Sequence, residues 1–303
     1  MKGIYADASG GLDEVFARMH RPDDPPVTVY QHQVIRPEEM PALFSGYDFI
    51  LNDHTFLPAD AIARCRGLRH IIFLGTGPHS YMDVAEIEAL GIRIHTIRGY
   101  GDTAVAEHTI ALIWAAARDI AMMDRGMRAG LWPRGERLQL TGATLGLYGF
   151  GGIAAEVARI ALGSGMRVIA WNRSARHFPG VTFVDLPRLL AESDVLSLHL
   201  QLTEETRHSL DAAGIAAMKP GAILVNTARA GLVDTAAMVV ALRSGHLRHA
   251  ALDVFDIEPL PADDVLTTLP NVTLTSHDGF NTPSAAQNLI RMGLDIAKRL
   301  AQG

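Results

Sequence analysis

Along this chain, short runs of β-branched and aromatic residues alternate with stretches whose apolar residues recur at helical spacing. The β-rich runs fall into two series. The first series comprises residues 3–7, 27–31, 49–53, 70–76 and 92–97. The second series comprises residues 144–149, 167–172, 195–200, 222–227, 250–255 and 271–276. Such alternation is typical of parallel strands joined by crossover helices. The pattern therefore predicts an α/β fold with two doubly wound parallel sheets.

Two longer helical patterns accompany the strands. Apolar residues between Val105 and Met123 share one helix face, which predicts a single long helix over 103–125. The stretch from Pro283 to Leu300 shows the same spacing and predicts a helix that could return to the first series. At 303 residues the chain exceeds the size at which a single core stops growing, so we expect two domains.

Composition and charge narrow the class of protein. With 48% hydrophobic and 20% charged residues, the chain can bury a sizeable core and is expected to be globular. Its 27 Lys and Arg residues against 33 Asp and Glu residues give a net charge of −6, which argues against nucleic acid or an anionic membrane surface as a partner. No cluster of His, Cys, Asp and Glu has a convincing metal-ligand arrangement, so no metal is predicted.

Cysteine usage and apolar segments bear on the cellular compartment. Cys65 is the only cysteine, so it cannot form an internal disulfide, and we interpret it as a core thiol. The first residues lack the apolar stretch of a signal peptide, and the longest apolar run, 110–117, is too short to cross a bilayer. These features predict a cytoplasmic protein.

A glycine-rich turn, GFGGIA at 149–154, follows the first strand of the second series and precedes a helical pattern and another strand. In such a unit, Gly149 permits the tight turn, Gly151 lets the backbone approach a pyrophosphate, and Ala154 stands where helix and strand pack closely. The helix N-terminus offers N–H donors and the positive end of its dipole to phosphates. The spacing alone could mark an ordinary tight turn, but its position in a βαβ unit favours a dinucleotide site.

The end of the next strand bears on the choice of dinucleotide. An acidic residue there would hold the ribose hydroxyls of NAD. This chain has Asn172, followed by Arg173, Ser174 and Arg176. Since the carboxylate that would repel a 2′-phosphate is missing and guanidinium groups are present, we predict that NADP(H) is preferred, with NAD(H) still possible. The alternative is that the arginines are ordinary solvated cations and that Asn172 hydrogen-bonds a ribose.

Polar residues follow three strands of the second series: Arg229, Glu258 and His277. Ligands of doubly wound sheets bind beyond the carboxyl ends of the strands. A guanidinium can bind the carboxylate and oxo oxygen of a 2-oxo acid, an imidazolium can protonate that oxygen, and a carboxylate can fix the imidazole tautomer. Each residue alone has an ordinary structural explanation. Together they favour hydride transfer between a nicotinamide dinucleotide and a small 2-oxo or 2-hydroxy acid.

Several segments resemble the D-isomer-specific 2-hydroxyacid dehydrogenase family, in particular members of the glyoxylate/hydroxypyruvate reductase type. The most specific are MKPGAILVNTARAGLVD (218–234), ALDVFDIEPLP (251–261) and SHDGFNTP (276–283). The resemblance runs from about Gly75 to Ala286. It implies a Rossmann nucleotide-binding domain, residues 99–283, inserted into a flavodoxin-like substrate domain formed by residues 1–98 and 284–303. It also implies a homodimer.

The same resemblance implies roles for individual residues. Arg229 would bind substrate, Glu258 would be the partner of the histidine, and His277 would be the acid/base. Asp253 would contact the nicotinamide carboxamide, and backbone N–H groups of Thr76 and Gly77 would bind the substrate carboxylate. The other residues placed along the cofactor are Gly151, Gly152, Ile153, Thr206, Thr227 and Ala228. The histidines interpreted as structural or supporting are His54, His79, His95, His108 and His199.

This sequence departs from the family pattern at two places, and three alternative functions remain. The loop 75–83 is one residue longer than the family pattern, and Asp278 directly after the histidine is unusual. Formate oxidation is disfavoured by Glu258, since that relative has glutamine there. Phosphoglycerate oxidation is possible, although the regulatory domain that many such enzymes append is not in this sequence. A dinucleotide-sensing interaction protein without catalysis is the alternative outside the enzyme class.

Overall fold

A computed structural model describes residues 1–8, 10–31 and 35–302. The chain divides into a terminal unit, Met1–Gly101 with Asn281–Gly303, and an inserted unit, Asp102–Phe280. Each observed boundary between the two units lies three residues from the boundary expected at 98 or 284. That the terminal unit binds substrate and the inserted unit binds nucleotide remains a prediction.

The terminal unit contains one parallel sheet and its helices. Its five strands have the order β2-β1-β3-β4-β5, the flavodoxin-like arrangement. The strands are β1 Gly3–Tyr5, β2 Val27–Val29, β3 Phe49–Asn52, β4 His70–Phe73 and β5 Arg93–Thr96. The helices are α1 Leu12–Met19, α2 Met40–Phe44, α3 Ala59–Ile62, α4 Val84–Ala89 and α12 Pro283–Gln302.

Successive residues of these strands enter different hydrophobic clusters because side chains alternate across a strand. Ile50 belongs to a cluster that includes residues of α2 and α3, whereas Leu51 belongs to a cluster that includes residues of α1 and α12. Leu289 and Leu294 of α12 are buried there, so the predicted return of this helix to the first series is confirmed. Cys65 is buried in the other cluster, and burial raises the pKa of its thiol to about 11, which confirms a core thiol.

The inserted unit has seven parallel strands in the order β12-β11-β10-β9-β6-β7-β8. This is the Rossmann arrangement extended by one strand. The strands are β6 Thr144–Tyr148, β7 Arg167–Trp171, β8 Val181–Phe183, β9 Val195–Leu198, β10 Ala222–Asn226, β11 Leu247–Leu252 and β12 Val272–Leu274. The helices are α5 Asp102–Ala117, α6 Ile120–Arg128, α7 Gly152–Gly163, α8 Leu186–Glu192, α9 Ala212–Ala217, α10 Thr235–Ser244 and α11 Val265–Thr268. The predicted fold class, two doubly wound parallel-sheet domains, is confirmed.

The single long helix predicted over 103–125 is wrong, because the chain forms α5 and α6 with a break between them. Asp119 at the break has φ of 52°, in the left-handed region that L residues rarely adopt. Its carboxylate lies 2.9 Å from Arg137 Nε and 3.1 Å from Arg248 Nη2. Contacts with two arginines distant in sequence therefore stabilise a conformation that local helix propensity disfavours. Among the described residues, no helix is both long and apolar enough to span a membrane.

Candidate active site

The three predicted catalytic residues follow three adjacent strands of the inserted unit. β10, which precedes Arg229, pairs with β11, and β11, which precedes Glu258, pairs with β12, which precedes His277. All of these pairings are parallel, so the carboxyl ends of the three strands lie at the same edge of the sheet. This is the edge at which doubly wound folds bind ligands.

Glu258 and His277 are in direct contact. Glu258 Oε2 lies 2.7 Å from His277 Nδ1, and Glu258 Oε1 accepts a hydrogen bond of 2.9 Å from the Phe255 N–H. The side chains are 37% exposed for His277 and 36% exposed for Glu258. A carboxylate on Nδ1 requires a proton on that nitrogen, so Nε2 is left as the nitrogen that can exchange a proton with a ligand.

A pocket of about 780 Å³ adjoins this pair, and both residues line it. Apolar side chains, including Phe255, Leu260 and Leu274, form much of the remaining lining. Pockets of this size, mostly apolar with a few polar groups, are typical of small-molecule sites. Arg229 is not among the residues that line it.

The turn that carries His277 is held by a buried carboxylate. His277 has φ of 55°, in the left-handed region. Asp253, only 3% exposed, accepts hydrogen bonds from the Thr275 hydroxyl at 2.6 Å, the Asp278 N–H at 3.2 Å and the Gly279 N–H at 3.1 Å. Burial opposes ionisation of Asp253, but the hydrogen bonds from His108, Thr275 and Gly279 outweigh it and lower its pKa to about 2. Asp253 is therefore an anion that fixes this turn.

Arg229 has an ordered backbone and an exposed side chain. Asn226 Nδ2 donates a hydrogen bond of 2.9 Å to the Arg229 carbonyl, while the guanidinium donates to the Ala228 carbonyl at 2.6 Å. Within the described ranges, no ion pair involves Arg229. The guanidinium can therefore bind a carboxylate supplied by a ligand.

The N-terminus of α7 has space and donors for a pyrophosphate. Gly149 has φ of 95°, and a Cβ there would lie 2.9 Å from the His199 backbone, so the turn requires glycine. At Gly151, by contrast, a Cβ would have no atom within 4 Å. This N-cap residue has no side chain to occupy the first N–H groups of the helix, which remain for phosphate. The geometry fits the dinucleotide predicted for these glycines, Gly152 and Ile153.

Asn172 connects the end of β7 to the glycine turn. Its Oδ1 accepts a hydrogen bond of 3.1 Å from the Phe150 N–H, and its Nδ2 donates to the Ser174 carbonyl at 2.9 Å and the Ser174 hydroxyl at 3.0 Å. Arg173 is exposed beside it, with its guanidinium 3.4 Å from the exposed Glu205 carboxylate. Asn172 thus shapes the loop that presents Arg173 to solvent.

The remaining predicted cofactor residues of the inserted unit lie in turns after β9 and β10. The Thr206 hydroxyl donates to the Gln201 carbonyl at 2.7 Å. The Thr227 hydroxyl lies 2.8 Å from that of Thr109, which itself donates to a carbonyl of α5. The Ala228 N–H donates to Asn226 Oδ1 at 3.0 Å. These bonds order the backbone at the same sheet edge as the glycine turn.

Thr76 and Gly77 belong to the terminal unit, where they follow β4 at the carboxyl edge of the sheet. Thr76 is exposed. At the same edge, the buried Asp7 carboxylate accepts three backbone hydrogen bonds, from Asp53 at 2.9 Å, His54 at 2.8 Å and Thr55 at 2.7 Å. The substrate role predicted for Thr76 and Gly77 stays a prediction.

Of two further side chains near the predicted site, the sequence reasoning placed His108 only among the structural or supporting histidines and did not single out Asp102. His108 Nε2 lies 3.0 Å from Thr275 Oγ1, within the network that holds the His277 turn. Asp102 lies against the glycine turn, since a Cβ on Gly152 would be 1.8 Å from its Oδ2, and burial and Glu156 raise the Asp102 pKa. Neither contact has a local sequence signal. In the described parts of the chain, no three or more His, Cys, Asp or Glu residues are grouped to hold a metal.

Comparison with known proteins gives matches across the chain. The model of the D-isomer specific 2-hydroxyacid dehydrogenase NAD binding domain matches residues 110–279. Hydroxypyruvate reductase of Thermotoga maritima is 38% identical over 258 residues, covering 83% of this chain and 82% of the relative. Glyoxylate reductase of Aeropyrum pernix is 36% identical over 287 residues, covering 90% and 84%. The structure of an acyclic imino acid reductase in complex with NADPH and D-Arg has a TM-score of 0.85 at 28% identity, covering 100% of this chain and 98% of the other.

The resemblance carried by the sequence motifs is therefore confirmed. The family match covers more than half of the chain, and both curated relatives exceed 30% identity over most of their length. The site edge described above lies within or next to the matched residues. This chain belongs to the D-isomer specific 2-hydroxyacid dehydrogenase family.

Proposed function

We propose that this protein is an NADPH-preferring reductase that converts a small 2-oxo acid, of the glyoxylate or hydroxypyruvate type, to the D-2-hydroxy acid, and that the reaction is reversible. The observation that carries the proposal is the 2.7 Å contact between Glu258 Oε2 and His277 Nδ1 beside a ligand-sized pocket. The names of the two curated relatives support the substrate class.

When bound, the reduced dinucleotide supplies the hydride. In our proposal, the charged His277 donates the Nε2 proton to the oxo oxygen as carbon is reduced. Glu258 keeps the proton on Nδ1 and stabilises the imidazolium. Arg229 binds the substrate carboxylate and orients the oxo group, for which a planar guanidinium is well suited. Backbone N–H groups of Thr76 and Gly77 are proposed as further donors to that carboxylate.

The decisive experiment follows the loss of reduced-nicotinamide absorbance after purified protein is mixed with NADPH and glyoxylate, hydroxypyruvate, pyruvate or a longer 2-oxo acid. We expect turnover that is greatest with a small acid, and a D-configured product where the product is chiral. The Arg229→Lys variant is assayed in parallel. It keeps the positive charge but loses the planar guanidinium, so its KM for the acid should be higher than that of the wild type. Dinucleotide binding without turnover of any of these acids would contradict the proposal.

The preference for NADPH rests on the loop after β7. The Asn172 side chain hydrogen-bonds within the loop, whereas Arg173 and Arg176 are exposed there. Two cations can therefore bind a 2′-phosphate. The NADPH-bound imino acid reductase shows that a protein of this fold, 28% identical to this chain, accommodates that dinucleotide. We therefore propose that these arginines bind the 2′-phosphate and that Asp253 lies near the nicotinamide.

This preference can be tested by replacing both arginines with glutamine. The double variant should lose about 100-fold or more in affinity for NADPH, since hydrogen bonds to charged groups contribute about 1.5–3 kcal/mol each, while its affinity for NADH should change little. Arg243→Gln, an exposed arginine of α10, is the control for net charge. Equal losses for both dinucleotides, or a wild-type preference for NADH, would refute the assignment.

We also propose that the protein is a homodimer. α6 has no buried residue, and the segment after it exposes Leu131 at 63% and Trp132 at 70%. Exposed apolar side chains that lie close together are typical of interfaces. Light scattering after size exclusion should give twice the chain mass of 32.7 kDa, and Trp132→Glu should shift it to the single-chain mass. A wild-type protein that elutes at the single-chain mass at micromolar concentration would exclude a stable dimer.

A further inference from the structure

His108, which the sequence reasoning set aside as structural or supporting, belongs to a hydrogen-bonded chain that ends at the His277 turn. His108 Nε2 lies 3.0 Å from Thr275 Oγ1, and Thr275 Oγ1 lies 2.6 Å from Asp253 Oδ1. His108 Nε2 also lies 3.4 Å from the same Asp253 oxygen. The three residues come from α5, the end of β12 and the end of β11.

The direction of each hydrogen bond among His108, Thr275 and Asp253 follows from the donors available. Asp253 is ionised and can only accept, so the single hydroxyl proton of Thr275 must point to it. Thr275 Oγ1 must then accept, and the donor is the N–H at Nε2 of His108. His108 is therefore protonated on Nε2, whatever the state of its other nitrogen.

Asp253 also accepts hydrogen bonds from the backbone of the turn. Its Oδ1 accepts the Asp278 N–H and its Oδ2 accepts the Gly279 N–H, one and two residues after His277. The fit is tight, because a Cβ on Gly279 would lie 2.9 Å from His108 Cδ2 and 3.0 Å from Asp253 Oδ2. Loss of a partner in this network would loosen a turn whose central residue has φ of 55°.

We propose that His108 is a positioning residue, which acts through Thr275 and Asp253 to fix the 275–279 turn and hence the direction of the His277 imidazole. His108 transfers no proton to substrate in this role. It orients the carboxylate and hydroxyl that hold the turn, while Glu258 independently orients the ring. The catalytic part of the inference rests on the proposed function, in which His277 is the acid/base.

His108→Leu removes the donor with little change in volume, and His108→Gln retains an N–H donor. Because the lost hydrogen bond loosens the turn that carries His277 without removing a group that contacts a ligand, we expect His108→Leu to lower kcat about tenfold, with KM for NADPH and for the acid changed less than about threefold. Amide hydrogen exchange at Asp278 and Gly279 should become about tenfold faster. Gln should restore both quantities, and Gly279→Ala should resemble His108→Leu.

His249→Leu is the matched control. His249 Nε2 makes a similar bond of 2.9 Å to Thr273, which lies within β12 two residues before Thr275, but does not reach the turn. This variant should lower thermal stability and leave kcat and exchange at Asp278 and Gly279 unchanged.

Two results would overturn the inference: wild-type exchange at Asp278 and Gly279 in His108→Leu, or a Gln variant as impaired as the Leu variant, which would indicate packing alone. If the wild type reduces no 2-oxo acid, the proposed function fails by itself. The exchange measurement still decides whether His108 holds the turn.

Discussion

The two units use the same device to hold a histidine at the carboxyl edge of a sheet. In the terminal unit, Asp7 follows β1 and accepts N–H groups of residues 53–55, among them that of His54. In the inserted unit, Asp253 follows β11 and accepts N–H groups of the two residues after His277. In both cases, a buried carboxylate from one strand orders the turn after a neighbouring strand.

The difference lies in what faces Nδ1 of each imidazole. The nearest carboxylate oxygens to His54 Nδ1 are those of its own turn and of the holding residue, Asp53 at 3.3 Å and Asp7 at 3.7 Å. His277 Nδ1 instead contacts Glu258, on a separate loop, at 2.7 Å. One carboxylate thus holds the backbone while another fixes the ring. We propose that this separation, rather than the presence of a histidine, distinguishes the candidate acid/base from the histidine that the sequence predicts to be structural or supporting.

The largest predicted effect is on kcat, and it should differ between substitution of His277 and substitution of His54. We expect His277→Gln to lower kcat about 10³-fold, because a positioned acid/base contributes about 10²–10⁴-fold. NADPH binding, followed by quenching of tryptophan fluorescence, should be retained. His54→Gln should lower kcat less than tenfold. Similar losses for both variants would show that the two turns do not differ in the way proposed.

The second-largest predicted effect tests Glu258, the carboxylate that contacts the His277 ring. Glu258→Gln keeps the shape but removes the charge that favours the Nδ1 proton and the imidazolium, so kcat should fall about 10²-fold. Because Asp253 still holds the turn, amide exchange at Asp278 and Gly279 should match that of the wild type. Faster exchange there would mean that Glu258 also supports the backbone.

The third effect concerns the holding carboxylate of the terminal unit. In Asp7→Asn the side-chain N–H₂ cannot accept, so at least one of the three N–H groups loses its partner, at a cost of about 2 kcal/mol. Hydrogen exchange at residues 53–55 should accelerate accordingly. Exchange at residues 278 and 279 of the inserted unit is the internal reference. Unchanged exchange at 53–55 would exclude Asp7 as the residue that holds this turn.

The sequence predicts the strands and the edge of the site well because both depend on local signals. Parallel strands give buried β-rich runs, and polar residues that follow adjacent strands must meet at one edge, as Glu258 and His277 do. The sequence pattern did not predict β8, Val181–Phe183. The helix break at Asp119 and the contact between His108 and Thr275 depend on partners far along the chain, 167 positions apart in the second case. No periodic pattern records such pairs.

The smallest predicted effect is on the pH dependence of stability, and it concerns one buried neutral histidine in each unit. Burial, with nearby Arg93 and His95, lowers the pKa of His70 to about 4, and burial lowers that of His249 to about 4 despite Asp119. The unfolded chain takes up a proton below the ordinary pKa of about 6.5, whereas the folded chain does so only near 4. Each histidine thus stabilises the fold above about pH 6.5, and this contribution is lost as pH falls toward 4.

All three tryptophans lie in the inserted unit, so unfolding monitored by their fluorescence reports on that unit. Between pH 7 and pH 5, we expect His249→Leu to remove about 1.5–2 kcal/mol of the decrease in its free energy of unfolding, because the proton uptake linked to His249 is gone. His70→Leu should leave this decrease unchanged, because His70 belongs to the terminal unit. If both variants reduced it equally, the fluorescence transition would include unfolding of both units, and the protonation of His249 would not be resolved as a property of the inserted sheet alone.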